Sequence, residues 1–266
     1  MNEKITLFIS ESPVHVGCGQ AMEAVDLPVI RERATSYPYI PGSSVKGVMR
    51  DDFRKRTPKH GPEEGGHKEQ ECRLFGDQDR AGELLIGDLN LLFFPVRCFE
   101  TAWVWITSPD LLRRFTDVEK RLGTSIEDQP SVTLADGEML AMNRKTQLHL
   151  EEFCFEQGNA QPDTALRLCE NLEPYVAGLE NRLIIVNDKM LQFFVKNATE
   201  VITRIAIDEK TGIVRNGALF YEECLPRDTV FYNTVARLND HQLPKYLRLG
   251  GDRSIGRGIF RLNTLD

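Results

Sequence analysis

Tyr37 to Arg56 reads YPYIPGSSVKGVMRDDFRKR, and the rest of the chain is organised around this stretch. Pro38, Pro41 and Gly42 open it with residues that suit extended backbone and tight turns. Ser43 or Ser44 then stands where a helix N-cap belongs, because a serine hydroxyl accepts a first-turn N–H that has no partner within the helix. Val45, Val48, Met49 and Phe53 recur at helical spacing and make one apolar face. Lys46, Arg50 and Arg54 follow at i, i+4 and i+8 and make a separate basic stripe. A lysine in a first turn opposes the helix dipole unless an anion sits there. Free N–H groups, a serine hydroxyl and a lysine together predict a seat for a phosphate. The plain alternative is a solvated basic face.

The chain has 266 residues, 41% hydrophobic and 27% charged, enough for a sizeable core in one elaborated domain or two small ones. No run approaches the apolar length of a membrane span, so no membrane partner is expected. MNEKITLFIS reads as a strand and not as an export signal, which points to the cytoplasm. Six cysteines are scattered without a C-x-x-C pair, so free or buried thiols are expected in place of disulfides. His60, His67 and Cys72 share a polar segment, but their spacing matches no strong zinc pattern. A formal charge of −7 argues against indiscriminate nucleic-acid binding and leaves room for a local cationic groove.

Taken in order, Lys4 to Ser10 alternates as a strand, with Ile5, Leu7 and Ile9 on one face. A long loop carrying His15, Asp26, Arg31, Glu32 and Arg33 leads to the basic helix. Thr57 to Gly82 is the most polar part of the chain and reads as a mobile loop, pinned at its far end by Leu74-Phe75-Gly76. Leu84 to Val96 and Thr101 to Thr107 read as neighbouring strands. Ser108-Pro109-Asp110 starts a helix whose apolar face is Leu111, Leu112, Phe115, Val118 and Leu122. Strand, helix, strand, strand, helix is most of a ferredoxin-like βαββαβ unit, the fold that RNA-recognition modules also use. Its closing strand is Ser131 to Leu134 or a later segment. Asn181 to Asn187 reads as a strand, and Asp188 as the cap of a short helix reaching Lys196. Glu200 to Ile207 and Val214 to Tyr221 flank DEKTG as a hairpin. A strand at Thr229 to Ala236 and a short helix near His241 to Leu249 follow. The expected class is α+β, with a ferredoxin-like (RRM-like) palm and large inserted loops.

The chain ends GGDRSIGRGIFRL, in which Gly250, Gly251, Gly256 and Gly258 interleave with Arg253 and Arg257, just after Arg248. Glycines permit positive φ and close backbone approach, and arginines present fork-shaped donors to phosphate. The stretch is not a P-loop, since no G-K-[ST] follows. It is not a dinucleotide fingerprint either, since a strand follows it where that motif needs a helix.

The early P-G-S-S-x-K-G-x-x-R and the terminal G-G-x-x-x-x-G-x-G together resemble the signature of the RAMP superfamily of CRISPR-associated proteins. HVGCGQ, AVDLPVIRER, YPYIPGSSVKGVMRD, RLFG, LLFFPVR and GALFYEECLP resemble, more narrowly, the repeated backbone subunit of Cmr-type (type III-B) CRISPR effector complexes. The resemblance implies one RAMP domain over residues 1–266, with a ferredoxin-like palm, inserted fingers and a thumb hairpin within 181–236. It implies copies stacked head to tail along a CRISPR guide RNA, together with other subunits of the complex. The thumbs would interrupt the duplex of guide and complementary target RNA, and the target would be cut at each interruption. By position, the cutting acid is Asp26, which would also hold a divalent metal, Mg²⁺ or Mn²⁺. One carboxylate is a thin metal site, so phosphate oxygens or a neighbouring copy would complete it. His15 and Glu222 or Glu223 are candidate helpers. Ser44, Lys46 and Arg50 map onto the guide-binding helix. Gly251, Arg253, Gly256 and Arg257 map onto the glycine-rich loop beside the guide. Such a protein reads backbone and shape, while pairing reads sequence. Two alternatives stay open: a filament scaffold that binds guide without cutting, and a stand-alone, metal-independent endoribonuclease acting on guide precursors.

Overall fold

Strand β1 (Asn2–Ser10) is buried on both faces, and this decides the layering. Ile5, Leu7 and Ile9 are buried in one core cluster and Phe8 in another, so the sheet is covered on both sides. The computed structural model describes residues 2–20, 24–56, 64–124, 132–141, 145–158, 170–215, 217–237 and 243–265. It is a strand-rich mixture of α and β.

One half of the main sheet runs β13 (Tyr246–Arg248), β14 (Ile259–Thr264), β1, β12 (Val230–Arg237), β4 (Leu89–Cys98), every neighbouring pair antiparallel. The short strands β2 (Tyr39–Ile40) and β3 (Leu85–Ile86) pair with β4 and β12. The other half continues from β4 through β5 (Ala102–Thr107), β9 (Leu183–Val186), β6 (Glu138–Ala141), β8 (Phe153–Gln157) and β7 (Gln147–Leu150). It returns to β4 where Cys98 pairs with Leu150, giving a barrel-like closure that leaves no open edge there. A register shift opposite Val230 and Phe231 lets β4 serve both halves: Leu91 and Phe94 face one cluster, Leu92 and Phe93 the other. β10 (Glu200–Arg204) and β11 (Phe220–Cys224) form a separate hairpin.

Helices cover both faces. α1 (Gly42–Lys55) buries Val45 and Met49 in the Phe8 cluster. α2 (Glu64–Phe75) packs beside α1 through Phe75, whose ring meets Phe53 at 5.9 Å. α3 (Pro109–Leu122) places Leu112 and Phe115 in the opposite cluster, near the short α4 (Leu179–Arg182). α5 (Asp188–Asn197) returns to the Phe8 side with Leu191, Phe194 and Val195.

Several expectations change. Glu64–Phe75 is helical where a mobile loop was expected, because Leu74 and Phe75 are buried and Glu71 meets the arginines of α1; residues 57–63 lie outside the described set. Pro41, not Ser43 or Ser44, occupies the cap position of α1. Asn187, not Asp188, caps α5, its side chain accepting from Met190 N at 2.8 Å. The hairpin's second strand is Phe220–Cys224, later than Val214 to Tyr221. Tyr246–Arg248 is an edge strand where a helix was expected, and Val132 to Leu134 is irregular, not a closing strand. β5 lies beyond β4, and β12 takes the place beside β1 that the order of elements had assigned to it.

α3 also turns Glu119 inward, leaving it 9% exposed with no partner for Oε2 among the described residues. Burial pushes its carboxyl up to about 7 from the usual 4.5. The folded state then keeps a proton that the unfolded chain has lost, so stability falls as pH rises from about 4.5 to about 7, and the penalty is complete above that. Glu119→Gln removes it: thermal melts should show a gain of roughly 2–4 °C at pH 8 that vanishes in mild acid. A gain independent of pH would contradict the burial account.

Candidate nucleic-acid interface

At the start of α1 the chain already supplies one anion. Gly42 N–H donates to Asp88 Oδ1 at 2.7 Å, and the N–H groups of Ser44 and Val45 reach Pro41 O. Gly42 is required here, since a Cβ would lie 2.6 Å from Ile86 O. Ser44 is exposed. Lys46 is half-buried, has no ion-pair partner among the described residues, and borders a hollow of about 390 Å³ with Ser43, Gly87, Thr234 and Glu3. Arg50 is differently placed. Its Nε donates to Glu71 Oε1 at 2.5 Å, and Arg54 donates to both Glu71 oxygens at 2.9 and 2.5 Å. Arg54, then Arg50, hold Glu71 down to about 2. The expected basic stripe is thus partly neutralised, with Lys46 the member left unpaired.

Asp26 sits against the hairpin. Its Oδ2 accepts from Tyr221 N–H at 2.8 Å, and Leu27 N–H donates to Tyr221 O while Glu223 N–H donates to Leu27 O, both at 3.0 Å. The segment from Asp26 therefore runs as an extra parallel partner of β11. Oδ1 of Asp26 has no partner among the described residues. Glu223 is buried and fully used: Oε2 accepts from Val29 N at 2.8 Å, and Oε1 from Arg31 Nη2 at 2.5 Å and Thr199 Oγ1 at 2.8 Å. Glu222 is also buried, accepting from Arg204 and Arg257 at 2.8 and 2.6 Å. His15 Nδ1 donates to Glu223 O at 2.7 Å, since a carbonyl only accepts, and its Nε2 lies 3.9 Å from Glu222 Oε1. The structure gathers His15, Asp26, Glu222 and Glu223 around one strand, but the two glutamates are bound to the chain's own cations. Among the described residues no group of three or more His, Cys, Asp or Glu is placed to hold a metal ion. His67 stacks on Phe53 at 4.9 Å, and His60 lies outside the described residues.

The terminal loop is sewn to the segment after β1. Gly251 N–H donates to His15 O at 2.9 Å and Gly258 N–H to Pro13 O at 3.0 Å. The close approach that its glycines permit is to protein: a Cβ on Gly250 would lie 2.3 Å from His15 O. Gly256, by contrast, faces open space. Arg253 reaches Asp51 of α1 at 3.8 Å and borders a hollow of about 580 Å³ with Arg248, Tyr246, Asp52 and Lys55. This hollow and the one at Lys46 lie on opposite flanks of α1, with the exposed Ser44 and Gly47 on the crest between them. Arg257 is turned inward, 14% exposed. The sequence reading missed Arg204 and Thr199, which lie 18 to 48 residues from their partners and carry no local signal, and Asp252, which pairs both with the distant Arg204 and with Arg257 five residues on.

A thumb-like hairpin clasping an acidic loop, beside a glycine loop and a lysine-bearing helix start, defines a class. The chain matches the model of the RAMP superfamily over residues 8–261 and belongs to that superfamily. It is 31% identical over 280 residues, 94% of this chain and 92% of the relative, to the CRISPR system Cmr endoribonuclease Cmr4 of Pyrococcus furiosus. It is 25% identical over 295 residues, 95% of this chain and 93% of the relative, to the CRISPR system CMR subunit Cmr4 of Saccharolobus solfataricus. Among solved structures it shares its fold with oligomeric Cmr4 from Pyrococcus furiosus, with TM-score 0.74, 24% identity, and 99% and 98% of the two chains covered. A type III-B Cmr-beta complex bound to cognate target RNA contains a chain matched with TM-score 0.77 and 20% identity, over 98% and 96% of the two chains.

The glycine loop can be tested by its spacing. A Cβ on Gly258 would lie 1.9 Å from Leu249 O at φ +72, whereas one on Gly256 meets nothing within 4 Å at φ +86. Denaturant unfolding should show Gly258→Ala costing several kcal/mol or preventing folding, against about 1–2 kcal/mol for Gly256→Ala. Equal costs would mean that the Leu249 contact is not tight.

Proposed function

We propose that this chain is the repeated backbone subunit of a type III-B CRISPR effector complex, which binds guide RNA and cuts complementary target RNA at regular intervals. The observation that carries this is the 31% identity to a Cmr endoribonuclease across 94% of the chain. Copies stack on one another along the guide, together with other subunits of the complex. No helix among the described residues is long and apolar enough to cross a membrane. The free thiols of Cys18, Cys72, Cys98, Cys154 and Cys224 favour action in the cytoplasm.

The strands β14-β1-β12-β4, antiparallel throughout, have the order of a ferredoxin-like palm, and this supports reading them as the scaffold beneath the guide-binding helix α1. A guide strand crossing the crest of α1 at Ser44 and Gly47 would meet Lys46 on one flank and Arg253 on the other. The hairpin supports the role of a thumb: Val201, Ile205, Ile207, Ile213 and Leu219 are all at least half exposed, an apolar projection able to stack against bases. Asp26 lies at the root of this projection, so a target strand displaced by the thumb would run past the acid. The open Oδ1 is a hard donor suited to Mg²⁺ or Mn²⁺, with phosphate oxygens and water as the remaining ligands, since the neighbouring glutamates are committed elsewhere. Such an ion would neutralise charge at the scissile phosphate. Asp26 itself is held still by the Tyr221 N–H, which keeps its open oxygen aimed outward.

Asp26→Asn should assemble with guide RNA as the wild type does and cut target at least about 100-fold more slowly in a single-turnover assay. EDTA should stop wild-type cutting, and added Mn²⁺ should restore it. Wild-type cutting by Asp26→Asn would show that another group does the chemistry. Lys46→Ala should weaken guide binding severalfold and reduce the slope of log affinity against log salt by about one. An unchanged slope would remove Lys46 from the guide track.

A further inference from the structure

Two arginines and two carboxylates from distant segments close a ring at the root of the hairpin. Glu222 Oε2 accepts from Arg204 Nη1 at 2.8 Å and from Arg257 Nη1 at 2.6 Å. Asp252 Oδ2 accepts from Arg257 Nη1 at 2.7 Å and also from Arg204 Nη1. The side chains of Glu222, Arg257 and Asp252 are 5%, 14% and 18% exposed and that of Arg204 is 30%, so Arg257 lies on the sheltered side of the ring. Arg204 and Glu222 belong to the two strands of the hairpin, whereas Asp252 and Arg257 belong to the terminal loop.

We propose that Arg257 is a positioning residue for target cutting, joining the terminal loop to the strand that holds Asp26, and not a contact to the guide. The inference rests on the reading of Asp26 as the cutting acid. Glu222 directly follows Tyr221, whose N–H binds Asp26, so whatever fixes Glu222 fixes that N–H. At its other side the loop meets α1 through Arg253 and Asp51. A continuous path thus runs from the helix assigned to the guide, through the terminal loop and the ring, to the carboxylate. Misplacing a reacting group by about 1 Å costs on the order of a hundredfold in rate. Removing one cation from buried carboxylates leaves a charge uncompensated, which would shift β11 or draw in water. Arg257 makes both of its ring contacts through one nitrogen, Nη1. It acts there as a point charge with two donors, a role that a lysine ammonium can fill.

The test uses the assembled complex carrying Arg257→Gln, Arg257→Lys, Glu222→Gln or Asp26→Asn. Guide affinity is measured across a salt series, and single-turnover cutting with guide and target both saturating. Arg257→Gln should keep guide affinity within about twofold and keep the salt slope, yet cut about tenfold or more slowly. Arg257→Lys should recover most of that rate, a rescue that a purely shape-filling role would not give. Arg257→Gln combined with Glu222→Gln should be no slower than the slower single variant, because both act through one ring. If Arg257→Gln does not assemble, Arg257→Lys and Glu222→Gln carry the comparison. The proposal is overturned if Arg257→Gln flattens the salt slope by about one and cuts at the wild-type rate once saturated. It is equally overturned if the lysine variant is as slow as the glutamine variant. Asp26→Asn separates the two levels. If it cuts normally, the acid assignment fails; if it is inactive while Arg257→Gln cuts normally, only the ring's role fails.

Discussion

The root of the hairpin depends on a closed ring of alternating charge, Arg204–Glu222–Arg257–Asp252, largely hidden from water. Charges withdrawn from water are costly unless each is matched and hydrogen-bonded, so every member of the ring favours the others' placement. Completing it requires β10, β11 and the terminal loop to be in place together. The glycine loop's backbone bonds to Pro13 and His15 impose the same requirement on the segment after β1. The stretch read from sequence as a glycine-rich loop beside the guide is therefore also a joint within the protein, with Gly256 and the rim of Arg253 its open parts.

The same rule bears on how a chain with a net charge of −7 could serve the RNA-binding role proposed for it. Most of its prominent cations are answered internally: Arg50 and Arg54 by Glu71, Arg31 by Glu223, Arg114 by Glu32. Each internal pair removes a cation from the pool that could attract a polyanion at large. Lys46 stays unpaired, and Arg253 keeps only a long contact to Asp51. These two cations border separate hollows, one on each flank of α1.

Asp26 gains its meaning from the hairpin. An aspartate in a long loop is ordinarily a surface or turn residue. Here the loop is paired to β11 by backbone bonds and locked by Glu223 through Val29, Arg31 and Thr199. One carboxylate oxygen is thereby fixed and the other left open, beneath an exposed apolar projection. The fold thus sets hydrogen-bonded structure beneath the acid and exposed apolar side chains beyond it.

Much was legible in the sequence because it depends on near neighbours. Alternation in Lys4 to Ser10, the 3.6-residue rhythm of α1 and α3, and the punctuation of the hairpin each report on contacts within a few residues. The two glycine-bearing signatures named the family. What stayed hidden depends on pairings across tens or hundreds of residues. No local pattern reveals that Asp88 meets the first turn of α1, that Glu71 takes Arg50, or that β12 enters beside β1 ahead of β5. Polar composition suggested a loop at Glu64 to Phe75, and packing against α1 made it a helix. The sequence by itself determined which residues favour strand, helix or turn, and which family the chain belongs to. Only the tertiary structure decided which charges are answered by one another and which are left open, because a charge's partner is set by distance in space, and folding brings together groups that chain order keeps apart.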